Sequence, residues 1–112
     1  MSEQTSEITF KIKMDENQIP EYIEWVASDS EEKGICDAAF LTIWDKKEKN
    51  TLRIDLWTKD MKVDDMQIFF HQMMLSMSDT YARATGDSKV SAEIKEFALE
   101  MGHKMGIIKP NE

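Results

Sequence analysis

Between Thr51 and Gly86 the apolar residues change period, and this change constrains the fold more than any other feature of the chain. In Thr51–Thr58, Leu52, Ile54 and Leu56 alternate with Arg53, Asp55 and Trp57, the pattern of a strand with one apolar face. From Val63 onward the pattern is helical. Val63, Met66, Phe69, Phe70, Met73, Met74, Met77, Tyr81 and Ala84 fall within one arc of a helical wheel, and Gly86 supplies a stop. A strand that hands over to a long amphipathic helix excludes all-α and all-β architectures.

The flanking segments extend both patterns. Ile8, Phe10 and Ile12 alternate with lysine and threonine, predicting a first strand over residues 6–14. Asp15, Glu16 and Asn17 give a turn, and the residues after Pro20 predict a second strand with Ile23, Trp25 and Ala27 on one face. The two should form a hairpin. Ser28–Gly34 reads as a mobile loop, and the apolar run Cys36–Trp44 as a third strand, with a helical turn over Asp37–Leu41 as the alternative. Lys46–Asn50 is of hairpin length, which pairs this strand with the fourth, Thr51–Thr58. Beyond Gly86, Asp87 or Ser88 can cap a second helix that carries Val90, Ile94, Phe97, Met101 and Met105 at spacings of three and four. The expected fold is therefore α+β: a four-stranded antiparallel meander with two helices on one face, order ββββαα. Short links rule out parallel pairing. One domain over 1–112 is expected, with flexible tails at 1–5 and 107–112.

Composition narrows the partners. A net charge of −8 repels nucleic acid and anionic lipid surfaces. The single cysteine, Cys36, cannot form an internal disulfide, and the polar, acidic N-terminus lacks the marks of a secretory signal. No apolar run reaches membrane-spanning length. These features predict a cytoplasmic protein with no direct membrane insertion, held at the inner membrane, if at all, through a partner.

Catalytic and ligand-binding signals are missing. Glu100 and His103 have a Glu-x-x-His spacing, but a di-iron bundle needs a second such motif and further carboxylates. Cys36 lies in an apolar stretch with no histidine at a family-type spacing, and Gly34, Gly86, Gly102 and Gly106 form no phosphate-cradling loop. The expectation is no enzyme, no metal and no cofactor. The residues that stand out suggest contact instead. Ile68, Leu75 and Ala82 recur every seven residues opposite the main helical arc; either the second helix packs there, or they are isolated exposed apolar residues such as every surface has, or they form a self-association or partner seam. Trp57 points away from Leu52, Ile54 and Leu56, as sheet packing in an oligomer or cover by long neighbouring side chains would explain. Trp57, Ile68, Leu75 and Ala82 are the candidate interface. The methionines, many of them on the main helical arc, read as core filling, with an adaptable partner surface as the alternative.

The stretches TLRIDLWTKDM and FFHQMMLSMSDTYARATGD resemble the gliding-motility protein C (GldC) family of Bacteroidota, and the likeness runs from SEITFKIKMDEN to the second helix. One departure is Lys62, where the family favours proline; the loop at Ser30–Gly34 is also shorter or less Gly-rich than in the family. The resemblance implies an accessory component of the surface-gliding machinery, which is linked to type IX secretion. Its implied partners are other gliding-machinery proteins and further copies of itself as a dimer or tetramer. It implies no enzyme activity and no motif-defined site. The order of elements also resembles the secretion chaperone SecB, which gives a SecB-like holdase for exported or secreted clients as the alternative function.

Overall fold

The computed structural model describes residues 4–29 and 32–109, and the chain divides into a β unit ending at Met61 and a helical unit starting at Lys62. The expected tails at 1–5 and 107–112 fall partly outside the described residues.

The β unit contains five strands in two antiparallel sheets, where a four-stranded single meander was expected. β1 (Ile8–Met14) and β2 (Pro20–Ala27) form the anticipated hairpin, with Ile12 opposite Ile23, Phe10 opposite Trp25 and Ile8 opposite Ala27. Asp15 builds the connecting turn. Its carboxylate accepts from the backbone N–H groups of Asn17 (2.8 Å) and Ile19 (3.0 Å), and Gln18 takes the left-handed conformation at φ 62°. Lysine 59 reaches the same carboxylate at 3.3 Å and the carboxylate of Glu21 at 3.4 Å.

The correction lies between residues 32 and 45. Residues 32–34, expected to be loop, open β3 (Glu32–Cys36), which pairs with β2, and Trp25 lies over Gly34. After a bend at Asp37 the chain continues as β4 (Ala38–Asp45), which leaves β2 and pairs with β5 (Asn50–Trp57). One stretch of extended chain therefore serves two sheets. The bend is pinned by Thr58, which is buried, donates its N–H to the Asp37 carbonyl at 2.8 Å and its hydroxyl to the Asp37 carboxylate at 3.4 Å. The Lys59 N–H in turn donates to the Pro20 carbonyl at 3.2 Å.

The helical unit follows the expected boundaries. α1 (Val63–Thr85) ends at Gly86, which takes the left-handed conformation at φ 75°, and α2 (Ser88–Lys104) is capped by Asp87, whose carboxylate accepts from the Val90 N–H at 3.0 Å. His71, Ser78, Ala98 and Gly102 are its buried positions. The Ser91 hydroxyl donates to the Ser78 carbonyl across the hairpin at 2.6 Å. Past α2, Gly106 at φ 77° turns the chain so that the N–H groups of Ile107 (2.9 Å) and Ile108 (3.1 Å) reach the Gly102 carbonyl.

Candidate interaction surface

The register of β4 with β5 separates two chemically distinct faces. Ala39 opposite Leu56, Leu41 opposite Ile54 and Ile43 opposite Leu52 make one face wholly apolar. The other face carries Thr42 opposite Arg53, Phe40 opposite Asp55 and Ala38 opposite Trp57. There Arg53 grips the Asp55 carboxylate with two nitrogens (2.9 and 3.3 Å) and donates to the Thr42 hydroxyl at 2.7 Å. This arrangement neutralises the charges in the middle of β5.

The apolar face was expected to be the covered one, yet Leu52 and Ile54 are 51% and 54% exposed, as much as Trp57 on the polar face at 52%. Leu41 and Ile43 are also exposed. Where this face meets the first hairpin it forms a cavity of about 130 Å³ lined by Phe10, Ile12, Ala39, Phe40, Leu41, Ile54 and Leu56. The cavity walls are almost entirely hydrocarbon, so it suits an apolar side chain and offers nothing to a charged or hydrogen-bonding ligand. Trp57 borders a second, shallower hollow of about 250 Å³ with Gln18, Ile19, Pro20, Asp55 and Leu56.

The other anticipated residues lie in the helical unit. Leu75 and Ala82 are half-buried and stand four residues beyond His71 and Ser78, respectively, on the stripe that meets α2. Ile68 is 40% exposed and lines a hollow with Asp64, Gln67, Met105, Gly106 and Ile107. Leu41 and Ile43 are the surface residues that the sequence did not single out. Their signal was present in the β-branched end of the Cys36–Trp44 run, but an apolar run does not reveal which of its residues lack cover.

Titratable chemistry is sparse. Burial pushes the Cys36 thiol up, away from the reactive thiolate. His71 is 6% exposed, and its Nδ1 has no hydrogen-bond partner among the described residues. Glu100 pairs with Lys104 at 3.5 Å on the exposed side of α2. No grouping of three or more metal-ligating side chains occurs among the described residues, and no helix among them is long and apolar enough to cross a membrane.

Neither the curated proteins nor the solved structures contain a significant match to the chain. A family comparison does match, over residues 20–107, from the start of β2 through the turn that follows α2, and the family is described as gliding motility-associated protein GldC-like. That span covers most of the chain, including the bent 32–45 stretch, the apolar β4–β5 face and both helices. The chain belongs to the gliding motility-associated GldC-like family.

Proposed function

We propose that this protein is a non-enzymatic accessory component of the gliding machinery that works by protein–protein contact and self-association on the cytoplasmic side. The observation that carries the reading is the exposed apolar face of a two-stranded sheet, Leu41, Ile43, Leu52 and Ile54, in a chain of a gliding-associated family. A two-stranded sheet is marginal in water by itself, and a contiguous apolar patch on a soluble domain marks a site of association. Trp57 is exposed on the other face of that sheet; in the helical unit Ile68 is exposed and Leu75 and Ala82 are half-buried, and these three make a separate candidate contact. The partners are other gliding-machinery proteins together with further copies of this chain. The acidic charge and a single cysteine with no disulfide partner support a cytoplasmic site.

The test replaces Leu52 and Ile54 with lysine in cells that glide. Both side chains are already half in water, so the fold and the protein level are expected to survive while gliding and partner crosslinking fall. Normal gliding by the double variant at unchanged protein level would remove the β4–β5 face from the mechanism.

A further inference from the structure

We infer that two copies of this protein join through the outer edges of β4, antiparallel about a two-fold axis at Thr42, so that two hairpins become one four-stranded sheet ordered β5–β4–β4–β5. This rests on the self-association proposed above and names the surface that carries it.

The four strands that could serve as sheet edges are not equally protected. Edge strands are normally defended by lysines, mid-strand charges, short length or bulges. β1 carries Lys11 and Lys13 and shifts register between Lys13 and Met14. β3 is five residues long and begins with Glu32 and Lys33. β5 has Arg53 and Asp55 in its middle. β4 has none of these defences: from Ala38 to Trp44 it reads AAFLTIW, with no charge, proline or glycine. Its only hydrogen-bonded neighbour among the described strands is β5.

Charge chooses the occupant and the register. A two-fold centred on Leu41 would set Asp37 opposite Asp45 of the second copy, bringing like charges together. Moving the axis one residue, to Thr42, sets Asp45 opposite Ala39 and so separates the like charges. It also puts Thr42 opposite Thr42, Leu41 opposite Ile43, and Phe40 beside the exposed Trp44 of the other copy. Threonine pairs, aliphatic pairs and aromatic pairs are all favourable across antiparallel strands. Side chains keep their faces in this register, so the apolar faces of both hairpins become continuous. The pairing is self-complementary, and a second copy is therefore the partner.

Cysteine at position 42 tests the geometry, since residues opposite one another across antiparallel strands bring their Cβ atoms within about 5 Å. With Cys36 replaced by serine, Thr42→Cys is expected to form an intermolecular disulfide under oxidised glutathione far faster than Thr51→Cys on β5. Thr42→Glu and Thr42→Lys should each weaken the dimer at least roughly tenfold by facing like charges, and an equimolar mixture should recover a mixed dimer in native mass spectrometry. A wild type that is oligomeric, while T42C crosslinks no faster than T51C and both charged variants assemble normally, overturns the β4 edge and leaves self-association standing. A wild type that stays monomeric at high micromolar concentration overturns both.

Discussion

Gly102→Ala is the substitution for which simple propensity and the structure give opposite signs. Gly102 lies within α2, where alanine is normally the better residue by up to about 1 kcal/mol, and by less this near the helix end. A Cβ there would meet His71 Cε1 at 2.6 Å, His71 Nδ1 at 3.0 Å and Ile108 Cδ1 at 2.8 Å. The Ile108 methyl is the end of a flexible chain and can swing away. His71 is buried between the helices and its ring has no comparable freedom, so α2 must move away from α1 or the ring must leave its rotamer. Overpacking of this kind costs about 1–3 kcal/mol. Set against the propensity gain, the net is a loss of about 1 kcal/mol. Urea unfolding followed by helical circular dichroism measures it, and His71→Ala supplies the second arm of a double-mutant cycle. With the ring gone, Gly102→Ala should turn neutral or stabilising, a coupling of about 1–2 kcal/mol between the two positions. A Gly102→Ala protein that is more stable than wild type, or one whose cost is the same with and without the ring, would show that close helix approach is not why glycine stands at 102.

Three further predictions concern the β unit. Gly34→Val should cost about 1–3 kcal/mol and alter near-ultraviolet circular dichroism, because a Cβ at 34 would sit 2.8 Å from the Trp25 Nε1 and displace the indole that covers it; an unchanged aromatic spectrum would contradict this. Lys49 closes the β4–β5 turn at φ 54°, so Lys49→Val should lower thermal stability by about 1 kcal/mol or more while Lys49→Gly does not, and equal melting of the two would contradict the left-handed turn. Backbone hydrogen bonds from Ile19 and Asn17, with help from Lys59, hold the Asp15 carboxyl below its ordinary 3.8, and hydrogen bonds to Asp15 and Glu21 hold the Lys59 ammonium above its ordinary 10.5. The Asp15 contribution is complete above its unfolded value and is lost as pH falls through the lower folded one; that of Lys59 is complete below 10.5 and is lost as pH rises beyond it. Asp15→Asn should therefore flatten the acid limb of a plot of unfolding midpoint against pH by lowering the neutral region while leaving the acid end little changed.

The boundaries of the two helices were legible because their signals are local, whereas the face that is buried was not: Val63, Phe70 and Met77 of the expected core arc are exposed, and His71 and Ser78 are buried instead. The arc from Val63 to Ala84, the glycine stop at 86 and the aspartate cap at 87 each act within one or two turns, and they set the boundaries whatever lies beyond. The β1–β2 and β4–β5 pairings were legible for the same reason, since alternation and turn residues fix a hairpin register from nearby residues. The bend was not, because its cause is Thr58 donating to Asp37 from 21 residues away, and a single aspartate in an apolar run has no sequence signature of a strand that changes sheets. The surface was missed for a related reason. Alternation identifies Leu52, Ile54 and Leu56 as one face, but it carries no information on what, if anything, covers that face. Splitting the expected third strand at Asp37 leaves β4 and β5 as a pair rather than the interior of a meander. A sequence that reads as the middle of a sheet has thereby become an edge, without the charges that edges normally carry. The proposed pairing of two copies would give residues 38–44 the neighbours that an uncharged edge lacks, and for that reason Thr42 is a more decisive position to alter than Trp57.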